Sequence, residues 1–83
     1  MGDAAKLLER LRRSSANAKR EELIALYEAF GFEIRHGKNH DLAVHPKFPM
    51  LRATIARHNS LAVGYFKTAV KLIDTLTAKR EAK

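Results

Sequence analysis

The stretch FGFEIRHGKNHDLAVHP, residues 30–46, decides the fold of this 83-residue chain. Its apolar residues recur at every second position, where Phe32 and Ile34 alternate with charged residues, as in a strand with one buried face. Gly37 opens a polar turn, and the alternation resumes over residues 41–45. The stretch therefore predicts two strands joined as a hairpin.

Side-chain alternation gives the second strand of this hairpin two different faces. Leu42 and Val44 share one face with His40. Asp41 and Ala43 lie on the opposite face. We expect the face of Leu42 and Val44 to be the buried one, with His40 at its margin. Half-burial there would either shift the pKa of the imidazole to suit catalysis or make the ring purely structural.

Helical periodicity flanks the hairpin on both sides. Apolar residues spaced three and four apart predict helices over about residues 4–13, 19–30 and 65–80, the first capped by Asp3. Gly31 is placed to end the second helix in the left-handed conformation. A third strand fits residues 53–57. The order α-α-β-β-β-α predicts an α+β domain, in which a small three-stranded antiparallel sheet packs against helices and leaves its other face to water or a partner.

Composition indicates the class of partner. Sixteen Lys and Arg against nine Asp and Glu give a net charge of +7, which favours binding to polyanions, above all nucleic acid. The chain has no cysteine, so we expect a reducing, cytoplasmic location. Neither a secretory signal nor an apolar run of membrane-spanning length is visible, and we expect no membrane partner.

Four histidines are the candidate chemical groups, and all lie in one third of the chain: His36, His40, His45 and His58. Histidine moves protons near neutral pH, as RNA cleavage requires, and a histidine beside a turn can equally be structural. Lys38 and Arg35 lie near His40 in sequence and would offset phosphate charge. The histidine spacing fits no standard metal site, so we expect neither a metal nor another cofactor.

The stretch from Leu23 to Asp74 resembles the HicA family of toxins, also called YcfA-like. The resemblance rests on the order and spacing of several short motifs: Phe30-Gly31-Phe32, Gly37-Lys38-Asn39-His40, His45-Pro46, Thr54-Ile55-Ala56-Arg57-His58 and Leu61-Ala62-Val63-Gly64-Tyr65. It implies a single HicA-like domain over residues 1–83. Within it, residues 1–18 are an extra leading helix with its connector, and residues 19–78 are the core.

The resemblance also implies a function. The fold would be like that of a double-stranded-RNA-binding domain, and the chain would be the toxin of a type II toxin–antitoxin system. It would be a metal-independent endoribonuclease that cleaves messenger RNA, covered when inactive by a HicB-type antitoxin. His40 occupies the position of the catalytic histidine. The expected RNA contacts are Lys38, Arg35, Asn39 and His58, and His45 would bind RNA or shape the site.

The chain departs from the family pattern beside the histidine. Members often carry a second histidine where this chain has Asp41, whose carboxylate would either orient His40 or repel phosphate. Lys38 and Asn39 replace the usual Gly and Ser of the turn. Two alternatives therefore stay open: a non-catalytic RNA- or DNA-binding module of the same fold, and a protein-interaction domain whose positive charge serves an acidic partner.

Overall fold

The computed structural model describes residues 2–14, 16, 18–57 and 62–81. Within them lie three helices and three strands in the predicted order, which confirms the α+β class. The elements are α1 (Gly2–Arg13), α2 (Arg20–Ala29), β1 (Glu33–His36), β2 (His40–Val44), β3 (Arg52–Ala56) and α3 (Val63–Glu81). Because α1 begins at Gly2, Asp3 lies in its first turn and not at the expected N-cap.

The three strands form one antiparallel sheet in the order β1-β2-β3. Ala43 of β2 pairs with Ile34 on one side and with Ala53 on the other. Directly paired residues share a face, so small and β-branched side chains line one side of the sheet. The helices cover that side: Ala43 and Ile55 are fully buried in one cluster with α3 residues such as Phe66.

The expectation about which face is buried was wrong for the face as a whole, although Val44 itself is only 5% exposed. Leu42 and Val44 do share a face, but neither belongs to the core cluster between sheet and helices. The covered face carries Asp41 and Ala43 instead. The small Ala43 lets helices pack close to the sheet, and Asp41 is tolerated there because it is fully paired. His40 consequently lies on the face that the helices leave open.

The leading helix packs into the same core as the rest of the chain. Leu11 is 3% exposed and belongs to the cluster that contains α2 and α3 side chains. The two Nη atoms of Arg12 donate to the two carboxylate oxygens of Asp74 at 2.8 and 2.7 Å, which ties α1 to α3. Arg10 also pairs with Glu22 of α2. These contacts fix α1 against both other helices.

The chain enters β1 through a glycine, as the sequence predicted. Gly31 has φ of +91°, a conformation that L side chains rarely adopt, and it ends α2. A Cβ there would also lie 3.2 Å from Nε2 of His45, so space is restricted as well. Gly31 thereby sets the direction in which the first strand of the hairpin leaves the helix.

Candidate nucleic-acid interface

The predicted site residues come together at the β1–β2 turn. The Gly37 amide donates to the His40 carbonyl at 3.0 Å and closes the hairpin, with Lys38 and Asn39 between them. Lys38, Asn39 and His40 are all exposed. The turn therefore presents an imidazole, an amide and an ammonium group together at one end of the sheet.

Arg57, directly after β3, clamps this turn from the far strand. Its Nη1 donates to the Lys38 carbonyl at 3.4 Å, and its Nη2 donates to the Gly37 carbonyl. Its Nε and Nη2 also donate to Oδ1 of Asp41 at 3.2 and 3.0 Å. One guanidinium thus joins the turn, the start of β2 and the end of β3, and it restrains the backbone that carries His40.

Asp41 is the buried centre of this network. Its carboxylate is 3% exposed and accepts from Arg20, from Arg57 and from Nδ1 of His36, the last at 3.0 Å. The hydrogen bond from His36, followed by that from Arg57, holds the pKa of Asp41 below its usual value despite the opposing effect of burial. Asp41 is an ionised anchor for three cationic or polar side chains.

Neither role expected for Asp41 is found. Successive residues of a strand point to opposite faces, so the Asp41 carboxylate lies on the covered side while His40 lies on the open side. Its hydrogen bonds go to Arg20, Arg57 and His36, and none goes to His40. Its burial also removes it from the surface that a phosphate would approach.

His36 is a polar residue of the site to which the sequence reasoning gave no role. Its side chain is 76% exposed, yet its Nδ1 is fixed on the Asp41 carboxylate. The hairpin register pairs His36 directly with Asp41. The signal was present in the sequence, since residues that flank a tight turn at equal distances become cross-strand partners. The exposed imidazole is held on the opposite side of the hairpin from His40.

His40 stands free on the open face. It pairs with Ala56 of β3 and is exposed, and its imidazole makes no hydrogen bond or ion pair with any residue that the structure describes. The expected position at the margin of a buried face is therefore wrong. No described residue occupies either ring nitrogen, and the ring's placement depends on the clamped backbone beneath it.

Arg35 shares the open face with His40. It pairs with Leu42, two residues along β2 from His40, which makes it a diagonal neighbour with Cα atoms about 7–8 Å apart. Its side chain is 63% exposed, and its one ion pair within the described residues is with Glu33, at 3.4 Å. A weak exposed pair of this kind leaves the guanidinium free to turn to a phosphate. Arg35 and Lys38 thus flank His40 as expected.

The other two histidines are His45, which is buried, and His58. His58 lies outside the described residues. His45 is 2% exposed, its Nδ1 accepts the Lys47 amide at 3.1 Å, and its ring packs against Phe32 with centroids 5.2 Å apart. Burial, with the nearby charges of Arg80 and Lys47, holds the pKa of His45 below its usual value. This burial leaves no ring surface for an RNA contact, so of its two expected roles only that of shaping the site remains.

The cations of the Asp41 network and of the open face differ in whether a carboxylate pairs with them. The helix arginines at positions 10 and 12, and Arg20 and Arg57 of the Asp41 network, are paired with carboxylates. Lys38 and Arg52 are exposed and form no ion pair within the described part of the chain. With Arg35, they give the open side of the sheet an excess of positive charge.

Among the described residues, no three His, Cys, Asp or Glu side chains gather as potential metal ligands. None of the helices in the described ranges combines the length and apolarity needed to cross a membrane.

Comparisons with protein-family models, curated proteins and solved structures find no match to this chain. The HicA resemblance accordingly rests on the residues and on the order of elements.

Proposed function

We propose that this chain is an RNA-binding domain that cleaves messenger RNA, with His40 as the group that accepts the proton. The observation that carries the proposal is the position of His40. It is an exposed imidazole on a clamped hairpin, without a side-chain partner among the described residues, and it lies on a sheet face where Arg35, Lys38 and Arg52 outnumber the one carboxylate, Glu33. Binding and proton transfer would therefore occur on the same surface.

The reaction this geometry suits is transfer of the phosphate to the neighbouring 2′-oxygen. Neutral His40 takes the proton of the 2′-hydroxyl, and the 2′-oxygen attacks the adjacent phosphorus. The bond from phosphorus to the 5′-oxygen breaks, and the leaving oxygen takes a proton from water. The products are a 2′,3′-cyclic phosphate and a 5′-hydroxyl end. Proton transfer by one positioned group contributes about 10²–10⁴-fold to such a rate.

Lys38 and Arg35 would offset the charge that builds on the phosphorane oxygens. Lys38 is in the turn, two residues from His40, and Arg35 is its diagonal neighbour on the open face. Asn39 would add a hydrogen bond to sugar or phosphate from the same turn. Preorganised cations at the point where charge develops are a large contribution to catalysis of this type.

The wider biological role follows from the family resemblance, and we propose it on that basis. The α-α-β-β-β-α order is the one that membership of the HicA family implies, so the proposed role is that of a cytoplasmic toxin. A HicB-type antitoxin would be its partner. An antitoxin that covers the basic open face should present carboxylates to Arg35, Lys38 and Arg52.

The decisive experiment compares purified wild type with His40→Ala on a labelled single-stranded RNA. Wild type should cleave, and His40→Ala should lose at least about 10²-fold in rate while binding the RNA with nearly the same affinity. His36→Ala is the matched control, since it removes an exposed imidazole from the same hairpin on the opposite side. Equal cleavage by wild type and His40→Ala would refute the catalytic role.

A second candidate, a binding module without catalysis, has one specific observation in its favour. No described side chain orients the His40 ring, whereas general bases are commonly held by a third group. This module would bind RNA with a salt dependence but leave it intact. Three cations predict a slope of log K against log salt of about −2. A negligible affinity for RNA at physiological salt would point instead to an acidic protein partner.

A further inference from the structure

A groove runs between the outer edge of β3 and the first turns of α3. Its volume is about 500 Å³, which falls within the range of sites that hold a small ligand or one nucleotide. Its walls are formed by Arg52, Ala53 and Thr54 of β3 and by Ala62, Gly64, Tyr65 and Thr68 around the start of α3. No role was assigned to these residues above, apart from the free charge of Arg52.

Arg52 gives the groove a cation on the open face. It pairs with Val44 in the sheet register, and that register places it on the same face as Arg35 and His40. It is exposed and forms no ion pair with any described carboxylate. A free guanidinium at a groove mouth suits a phosphate, which it can bind through two hydrogen bonds.

The groove walls add unused hydroxyls and an aromatic ring. Thr75 and Thr77 turn their hydroxyls back to carbonyls of α3, at 2.9 and 3.0 Å. Thr68 and Thr54 line the groove, and neither hydroxyl bonds to any residue that the structure describes. Tyr65 is half-buried against the core, so its ring is fixed in place while one side lines the groove. A fixed ring beside free hydroxyls suits a nucleobase and its sugar.

The groove lies in line with His40. Arg52 is opposite Val44, four residues along β2 from His40. With a rise of about 3.3 Å per residue and strands about 4.8 Å apart, the two Cα atoms are about 14 Å apart. Thr54 lies between them on the same face, since it pairs with Leu42. A single strand that starts at His40 and follows β2 and β3 therefore reaches the groove without leaving the sheet.

We infer that the β3–α3 groove is a second RNA subsite, which binds the base of a nucleotide flanking the cleaved bond while Arg52 holds its phosphate. The inference rests on the proposed function, because it concerns the same RNA on the same face. It assigns to Arg52 a role in substrate binding and none in proton transfer, whereas Gly64 makes no contact of its own and only leaves space beside the groove. Variants at these positions should therefore change affinity and KM and leave the chemical step alone.

The sharpest test fills the groove without disturbing the fold. A Cβ added at Gly64 would meet no atom within 4 Å, so Gly64→Leu places a side chain in open space. Replacing glycine in a helix should also preserve or raise the melting temperature. Binding is measured by fluorescence anisotropy with a labelled mixed-sequence single-stranded RNA, on a His40→Ala background so that the RNA stays intact. Gly64→Ala is the matched control, because it adds one carbon and leaves most of the groove open.

Gly64→Leu should weaken RNA binding roughly tenfold, as expected for the loss of one stacked base, and Gly64→Ala should change it little. Arg52→Ala should weaken binding by a similar factor and reduce the salt slope by about 0.7, with Arg52→Lys restoring the slope. Unchanged affinity in Gly64→Leu would overturn the subsite and leave the groove to a protein partner. If the parent His40→Ala protein fails to bind RNA at all, the proposed function itself fails.

Discussion

Gly37→Ala tests whether the clamped turn determines catalysis. A Cβ at Gly37 would lie 2.6 Å from the His40 carbonyl oxygen, the atom that accepts the Gly37 amide at 3.0 Å. Real Cβ atoms essentially never come closer than 3.0 Å, and ordinary contact begins at 3.4 Å. The substitution therefore forces the backbone of His40, the proposed catalytic residue, to move by roughly 0.4–0.8 Å, because the carbonyl that is too close belongs to it.

The expected magnitude follows from this displacement. A misplacement of about 1 Å at a catalytic group can cost about 10²-fold in rate, so single-turnover cleavage should fall by roughly tenfold to a hundredfold. Forcing an atom into a packed turn costs about 1–3 kcal/mol in the free energy of unfolding, and each kcal/mol lowers Tm by about 4–8 °C in a domain of this size. RNA affinity should change little, since Arg35 and Arg52 are untouched.

The assay is single-turnover cleavage of labelled RNA at a temperature where both proteins are folded, with thermal melts in parallel. Gly64→Ala is the matched control, because the same substitution there enters open space and should keep the wild-type rate. Full cleavage activity in Gly37→Ala together with an unchanged Tm would refute the steric argument. Full activity with a lowered Tm would show that the turn matters for stability alone.

Three further predictions concern buried ionisable groups. The hydrogen bond from His36 holds the pKa of Asp41 below 3.8, so its stabilising contribution is present above that pH and is lost as pH falls through the lower folded value. In thermal melts, Asp41→Asn should melt below wild type at neutral pH, with the gap closing below pH 3.8; a constant gap would contradict this. Burial holds the pKa of His45 below 6.5, so the unfolded chain takes up a proton first and stability should fall as pH drops below 6.5. Urea melts at neutral and mildly acidic pH should show that the free energy of unfolding depends less on pH in His45→Gln than in wild type. An equal pH dependence in the two proteins would argue against a buried neutral ring. Burial raises the pKa of Tyr27 to about 12, so this side chain should ionise at the highest pH in a rapid alkaline titration followed by tyrosinate absorbance. Tyr27→Phe should remove the absorbance change at that pH, and its retention would assign the change to another group.

Local patterns in the sequence were sufficient to predict the elements of the fold. The change from helical to alternating periodicity located β1, and Gly31 was correctly placed at the left-handed end of α2. Both signals involve neighbours along the chain, where backbone sterics act directly. For the same reason Lys38 and His40 were correctly brought together at one turn.

Which face of the sheet is buried could not be read from the same pattern. Hydrophobicity favoured the face of Leu42 and Val44, but close helix packing favours a small residue such as Ala43. The cost of burying Asp41 is offset by Arg20 and Arg57, which lie 21 and 16 residues away in sequence. Partners at that distance leave no periodic signal, so only the folded chain reveals that Asp41 is an internal residue.

The placement of His40 beside Asp41 explains how the site can be both rigid and open. As strand neighbours they point to opposite faces, so the hydrogen bonds that fix the backbone are all made on the covered side. On the open side, no described residue competes for the His40 imidazole. The orientation of the His40 side chain then depends on its main chain. We therefore expect Arg57 to be a positioning residue, which affects catalysis through its hydrogen bonds to the carbonyls of the turn. Members of the HicA family often have a histidine at the position of Asp41. In this chain a histidine there would leave Arg20 and Arg57 without a carboxylate, so Asp41 is the residue that their pairing requires.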